Sequence, residues 1–254
     1  YAAWAVEGFN YIENGKSKQL TQDDLLSLRD FNSPLDGHPS PYIELLNGNI
    51  ARLPFPSATG ALGQGLSIAC GIALADRFDK IQRNIFVICG DSEVREGQID
   101  EALRFANTYK LPITLFVNLN KWGQSARTDD LIKHNYRKEL EAKDWNVIEI
   151  DGHNISNITK VLSKNYAGPT AILAHTIKGW GVSKLQQGNW HGKPLPQEDL
   201  EKALQEIPES AIKMPKTKPT KINFEQTKLK ISLKPPRFNE WDSTFKNSGK
   251  ISAR

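Results

Sequence analysis

Residues 85–92 read Ile85-Phe86-Val87-Ile88-Cys89-Gly90-Asp91-Ser92, five apolar residues stopped by a glycine, an acid and a hydroxyl. A run this short, apolar on both faces, predicts a buried strand, with a polar turn at its carboxyl end. The period then changes. Ile99, Ala102, Leu103, Ala106 and Tyr109 recur at three- and four-residue spacing, the stripe of an amphipathic helix. Outward from this pair the alternation repeats: strands are predicted at 113–117, 147–150 and 171–174, and helices at 131–143, 156–165 and 199–207. Ahead of it, residues 61–78 are apolar on nearly every side, which predicts a helix buried all round. Strand and helix alternating at this spacing make an α/β fold, a parallel sheet with helices on both faces, whose functional residues belong on loops at the carboxyl ends of the strands. No internal repeat is visible.

The flanks are less regular. Ala2 to Phe9 reads as the end of a helix. Thr21 followed by Asp23, Asp24, Leu25, Leu26 and Leu28 reads as an N-capped helix with acids in its first turn. A polar loop then carries Asp36-Gly37-His38-Pro39. After Ile207 the pattern dissolves into Pro208, Pro215, Pro219, Pro235 and Pro236 among scattered lysines, so 1–207 reads as one domain and 208–250 as a basic interdomain linker.

Composition excludes several classes. Of 254 residues, 39% are hydrophobic and 24% charged, enough for a core and too apolar for wholesale disorder. No run approaches the roughly 18 apolar residues of a membrane span. There is no charged-then-apolar leader and no Cys/His zinc spacing; Cys70 and Cys89 lie in apolar runs as small buried hydrophobes, which fits a reducing cytoplasm. The net charge of +4 is a property of the tail: residues 208–254 hold eleven Lys/Arg against four Asp/Glu, a balance of +7 that leaves residues 1–207 at −3. A basic tail of prolines and threonines with few aromatics reads as solvated chain, not as a nucleic-acid surface. The chain opens at Tyr1 and its one methionine is Met214, so a fragment, a processed form or an incomplete gene is expected.

Three loops carry candidate chemistry. Thr59-Gly60-Ala61-Leu62-Gly63-Gln64-Gly65 runs into the buried helix, where glycines let backbone N–H groups approach a phosphate; close helix packing explains them equally well. It is not a Rossmann fingerprint, because the glycine order differs and no strand precedes it. Asp91 and Asn120 follow two strands and offer a carboxylate and an amide oxygen, half a shell for Mg²⁺. On spacing alone, two ordinary turn residues are the simpler account. After the fourth strand come Lys178-Gly179-Trp180-Gly181 and Trp190-His191-Gly192-Lys193; two lysines and a glycine-flanked histidine in a long loop suit a diphosphate or a sugar phosphate.

Taken together these stretches resemble transketolase, the thiamine-diphosphate enzyme that moves two-carbon ketol units between sugar phosphates. The likeness runs in order through Leu35-Asp36-Gly37-His38-Pro39, Ala58–Leu66, Gly90–Gly97, Glu101-Ala102, Tyr109-Lys110-Leu111, Asn120-Lys121-Trp122-Gly123-Gln124-Ser125, Asp151-Gly152-His153, Thr176–Gly181 and Trp190–Pro194. It implies a thiamine-diphosphate-binding fold, specifically the domain that holds the cofactor's diphosphate. It further implies Mg²⁺ (or Ca²⁺ or Mn²⁺) held by Asp91, the side chain of Asn120 and the backbone carbonyl of Trp122. Gly60, Ala61 and Leu62 match the segment against the thiazolium and diphosphate, and Ser92, Glu96, Gln124, Lys178, His191 and Lys193 fall around the cofactor pocket. His38 and His191 match histidines that contact substrate and assist proton transfer, and Arg254 resembles an arginine that grips a substrate phosphate. Sugar phosphates as substrates, a homodimer and a cytoplasmic location follow from the same likeness, with no nucleic-acid or membrane partner. A synthase of deoxyxylulose phosphate or a 2-oxoacid dehydrogenase component fits less well, because Asp36–Pro39 and Trp190–Pro194 point to transketolase.

The resemblance also sets out departures. A histidine-bearing segment of the family lies upstream of the position of Tyr1, and the pyrimidine-binding domain should begin at about 251–254. The expectation is therefore a chain with about half a site, completed by that domain or a second copy. Ser92 stands where the family has the second glycine of Gly-Asp-Gly, and extra residues occur around Asn10–Lys18 and Asn47–Pro56. The alternative is a catalytically silent paralogue or fragment that keeps cofactor binding and dimerisation.

Overall fold

Residues 10–31, 33–45, 47–53 and 57–207 are described by the structure, a computed structural model. The readings made above for Ala2–Phe9, the 208–250 linker, residues 251–254 and Arg254 lie outside the described residues.

The early loops are a sheet. β1 (Asn10–Glu13) and β2 (Lys16–Gln19) form a hairpin, and after α1 (Gln22–Leu26) come β3 (Tyr42–Glu44) and β4 (Ile50–Arg52), in antiparallel order β2-β1-β4-β3. Residues 10–13, 16–19 and 50–52, expected in loops, are strands, while Asp36-Gly37-His38-Pro39 lies in a loop as expected. The turn between β1 and β2 is Asn14-Gly15 with φ of 50° and 73°, the left-handed pair that suits a two-residue hairpin. Tyr11, Leu20, Leu35, Leu45, Ala51 and Leu53 give this sheet its own small core. α1 begins as expected, with Thr21 and Asp24 exchanging side-chain-to-backbone bonds in a capping box.

The larger unit alternates α2 (Gln64–Asp79), β5 (Ile85–Gly90), a 3₁₀ turn at Glu93–Arg95, α3 (Gly97–Thr108), β6 (Ile113–Leu119), α4 (Thr128–Leu131) and α5 (Tyr136–Glu141). It continues through β7 (Asn146–Asp151), α6 (Ile155–Leu162), β8 (Thr170–His175), a 3₁₀ turn at Ser183–Gln186 and α7 (Gln197–Glu206). All four strands are parallel, in order β5-β6-β8-β7. The register aligns Val87, Leu115, Ala171 and Val147 in one row. That face packs on Leu66, Ala69, Cys70 and Ala73 of α2, Ile99, Leu103 and Ala106 of α3, and Leu140 of α5. The alternate residues Phe116, Ile172, Ile148 and Ile150 point the other way and meet Ile158 and Val161 of α6. Helices thus cover both faces, but α6 covers only the β7–β8 half. On β5, Phe86 and Ile88 stand 46% and 77% exposed.

Two predicted helices differ from expectation. α2 is buried on one side only: Leu66, Ala69, Cys70 and Ala73 face the sheet, while Ser67, Gly71, Ala75 and Phe78 are exposed. Its small residues blur the polar face that would mark a surface helix. Of the helix expected at 131–143 only α5 forms: α4 ends at Leu131, Ile132 is extended, and the Asn135 side chain accepts from the Lys138 N–H at 3.0 Å and starts α5 as its N-cap.

Both cysteines are buried and unpaired, as the apolar runs predict. Burial pushes the Cys70 thiol up to about 11 and the Cys89 thiol up to about 12, Glu93 adding to the latter. Thiolate is scarce below those values, so the native chain at pH 8 will leave an aromatic disulfide reagent unreacted until denaturant exposes two thiols. Stability should follow the burial pattern too. In urea titration, Leu115→Ala, emptying a fully buried site, will cost about 2–5 kcal/mol, whereas Ile88→Thr on the uncovered side will change it by less than about 1 kcal/mol.

Candidate functional site

β5 and β6 are paired through Gly90 and Asn118, so the residues that follow them leave the sheet side by side. Asp91 is 2% exposed. Its Oδ2 accepts the Lys121 N–H at 2.7 Å and its Oδ1 accepts the Ser92 N–H at 2.8 Å. Asn120 Oδ1 accepts the Trp122 N–H at 2.8 Å. The carboxylate and the amide oxygen therefore address consecutive N–H groups of one loop, each with lone pairs to spare. Lys121 takes a left-handed φ of 64°, its carbonyl accepts from Thr128 N–H, and Gly123 N–H reaches Ala126 O at 2.8 Å, which fixes the loop. Burial raises the Asp91 carboxyl above the ordinary aspartate value, against the bonds from Lys121 and Ser92 and the charge of Arg95. Arg95 also donates to the Tyr136 hydroxyl at 3.1 Å, which in turn donates to the Asp91 carbonyl at 3.1 Å.

Ser92 faces the same loop. A Cβ built on Gly123 would lie 3.0 Å from Ser92 Oγ. Among the described residues two buried side-chain polar atoms have no partner, Ser92 Oγ and Arg95 Nε. Arg95 still bonds Thr128 O and Tyr136 through its other nitrogens, whereas the serine hydroxyl makes no bond. Such a group costs about 1–3 kcal/mol when left unsatisfied.

The glycine-rich turn is tied to this loop by a residue the sequence reading did not single out. Glu93 accepts the Gly63 N–H at 2.9 Å through Oε1 and the Gly90 N–H at 3.1 Å through Oε2. Gly63, at φ 87°, is the N-cap of α2, and no side chain caps that helix. Leu62 O accepts from Gln98 Nε2 at 2.7 Å. A Cβ on Gly63 would approach Glu96 Cβ to 3.0 Å, and one on Gly60 would approach His38 Cγ to 3.2 Å, so Glu96 and His38 pack on the turn. Gly60, Ala61, Leu62 and His38 are exposed. A carboxylate two residues past the predicted metal ligand was the available signal for Glu93.

The third loop is gathered by Asn189, also not foreseen. Its Oδ1 accepts from Lys178 Nζ at 3.2 Å and from the His191 N–H at 3.1 Å, and its Nδ2 donates to Gln124 O at 2.8 Å. Gln124 is thus joined through its backbone. Burial lowers the Lys178 ammonium below the ordinary lysine value, opposed by the charge of Asp91. His191 and Lys193 are exposed. The structure brings Asp91, Ser92, Asn120, Trp122, Gln124, Lys178 and His191 onto bonded or facing loops; among the described residues His38, Glu96, His191 and Lys193 make no side-chain hydrogen bond.

The donor set suits a divalent cation that shares its shell with an anion. Asp91, Asn120 and a Trp122 carbonyl are hard oxygens, too few for six-coordinate Mg²⁺, and among the described residues no three His, Cys, Asp or Glu side chains group as a metal cage. Anion oxygens would complete such a shell, and Lys178 and the unpartnered Ser92 hydroxyl are donors on the loops around Asp91 that could receive the anion.

Comparison with known proteins gives the family. The family profile described as "Transketolase, thiamine diphosphate binding domain" matches residues 13–251. Transketolase of Pongo abelii is 37% identical over 214 residues, covering 82% of this chain and 31% of that protein; human transketolase is 38% identical with the same coverage. Transketolase-like protein 2 of Bos taurus is 38% identical over 217 residues, with 82% and 31% covered. In crystal form, transketolase of Campylobacter jejuni superposes with a TM-score of 0.66 at 29% identity over 74% of this chain and 30% of its own. The chain spans about a third of the length of these curated relatives.

The Glu93 bridge can be tested by stability alone. Glu93→Ala leaves two backbone N–H groups without their acceptor and will lower the urea-unfolding free energy by about 1–3 kcal/mol, and Glu93→Gln, which keeps one acceptor oxygen, will lose less.

Proposed function

This chain belongs to the transketolase family, carrying its thiamine-diphosphate-binding domain, and from that premise we propose that it holds the diphosphate half of a site that transfers a two-carbon ketol unit from a ketose phosphate to an aldose phosphate. What carries the reading is the Asp91 carboxylate, buried at one strand end and bonded at 2.7 Å to the loop that begins with Asn120. Asp91, Asn120 Oδ1 and the Trp122 carbonyl hold Mg²⁺, and the same oxygens accept Ca²⁺ or Mn²⁺. Backbone at Gly60, Ala61 and Leu62, with Ser92, Glu96, Gln124, Lys178, His191 and Lys193, surrounds the cofactor.

Held there by Asp91, Asn120 and the backbone at Gly60–Leu62, thiamine diphosphate would supply carbanion chemistry toward a carbonyl, which no side chain of this chain provides. The chain's own residues do the rest. Asp91 and the 120–122 loop fix the diphosphate end, so the reactive end is placed by a rigid sheet edge and not by a mobile arm. His38, packed on Gly60, and His191, fixed through its backbone to Asn189, stand at the exposed rim, where an imidazole gives or takes a proton at a substrate hydroxyl. Arg254, outside the described residues, is assigned to a substrate phosphate, and 208–250 to an interdomain linker that leads to a pyrimidine-binding domain from 251 onward. A homodimer in the cytoplasm completes the proposal, the second copy or the pyrimidine-binding domain closing the site. No helix among the described residues is long and apolar enough to cross a membrane.

Calorimetric titration of the chain with thiamine diphosphate, with and without Mg²⁺, tests the reading. Binding is expected to require the metal and to fall at least tenfold in Asp91→Ala. Equal affinity in that variant, or binding indifferent to Mg²⁺, would remove the proposed anchor.

A further inference from the structure

We infer that the Ser92 hydroxyl is a positioning donor to the diphosphate, a bond this chain adds to the site, where its family's motif places a glycine. The inference rests on the reading of Asp91 and Asn120 as the anchor of a metal diphosphate. Three observations on Ser92 carry it. Its N–H donates to Asp91 Oδ1 at 2.8 Å, so the residue is fixed to the proposed metal ligand. Its Oγ is buried and finds no acceptor or donor among the described residues. It lies against the facing loop, where a Cβ on Gly123 would come within 3.0 Å of it.

A polar atom held in this way is satisfied by something outside the protein. The ligand's chemistry follows from the surroundings. Asp91 beside it repels a bare anion and attracts a cation, while a hydroxyl has a proton to give. An anionic oxygen already bridged to a cation satisfies both at once, and a diphosphate oxygen on Mg²⁺ is such a group. The bond also offsets the crowding that a Cβ introduces beside a phosphate. A hydroxyl that donates to a charged acceptor is worth about tenfold to a hundredfold in affinity.

The experiment uses the whole 254-residue chain and inorganic pyrophosphate, titrated calorimetrically with and without Mg²⁺, so that no turnover is needed. Wild type, Ser92→Ala, Ser92→Gly and Asp91→Ala are compared, and each is melted without ligand. Ser92→Ala, which keeps the Cβ and loses the hydroxyl, is expected to bind magnesium pyrophosphate about tenfold to a hundredfold more weakly than wild type, and Ser92→Gly, which also relieves the crowding, to lose less than Ser92→Ala. Ser92→Ala should melt at the wild-type temperature or above, since it removes an unpartnered group. Affinity in Ser92→Ala equal to or tighter than wild type, with Asp91→Ala still weakened, would overturn the hydroxyl's role and leave the metal anchor standing. A melting temperature several degrees lower in Ser92→Ala would overturn it as well, by revealing an internal partner. Wild-type binding that ignores Mg²⁺, or Asp91→Ala binding as tightly as wild type, would overturn the anchor and the hydroxyl together.

Discussion

The bond from the Lys121 N–H to the Asp91 carboxylate joins two strand ends, and the site is arranged around it. Parallel pairing of β5 with β6 brings Gly90 level with Asn118, but pairing alone leaves the two following loops free to diverge. A buried carboxylate that takes N–H groups from both loops removes that freedom. It also carries a penalty, since burial raises its proton affinity, and the structure offsets this with two backbone donors and the guanidinium of Arg95. A core built for stability alone would place an apolar residue here. An acid kept at this point ties the two loops together and is what the proposed metal anchor requires.

From that bond two other side chains extend the arrangement. Glu93 carries it to the glycine-rich turn by accepting from Gly63 and Gly90, which aims the start of α2 at the same strand end. Asn189 carries it to the loop beyond β8, joining Lys178, His191 and Gln124. Each of the three connectors accepts or donates at backbone groups, so the loops are held by their main chains and the remaining side chains stay available to a bound molecule. The packing of Glu96 on Gly63 and of His38 on Gly60 depends on the absence of a Cβ at those glycines, which turns a turn of minimal bulk into two contact points.

How much of this was readable varied with the physical signal. The four parallel strands were visible because buried strands are short, apolar and stopped by polar turns, and β5 to β8 each extend their predicted cores by one or two residues. The small antiparallel sheet was not read, although Asn14-Gly15 between Tyr11-Ile12 and Ser17 is a hairpin signature; its strands are three or four residues long and mostly polar, so alternation had little to show. The break at Asn135 was hidden because capping is a local competition between a side chain and the helix backbone, which apolar spacing does not register. At the site, Asp91 and Asn120 were found from strand ends, but on spacing alone ordinary turns explained them; the family likeness, not periodicity, raised them to candidates. Glu93 and Asn189 escaped both routes, since their roles arise from bonds between loops 30 or more residues apart in sequence.

The charge arrangement joins binding to stability. In the ligand-free chain Asp91 is an acid whose burial disfavours its charge, relieved by the Lys121 and Ser92 N–H groups and by Arg95, and Lys178 is a base whose burial disfavours its own, relieved by the charge of Asp91. A divalent cation at Asp91 removes the first penalty and a diphosphate beside Lys178 removes the second, but either ion alone worsens the partner's position. The two are therefore expected to bind cooperatively, and whatever they contribute is added to the folded state, because the unfolded chain has no such alignment of β5 and β6. The exposed histidines differ in kind. His38 and His191 are exposed and make none of the bonds that hold Asp91 to the neighbouring loops. The separation of a dry, bonded anchor from a wet, accessible rim is set by the sheet: only the strand ends are buried enough to hold the first, and only the loops beyond them reach the second.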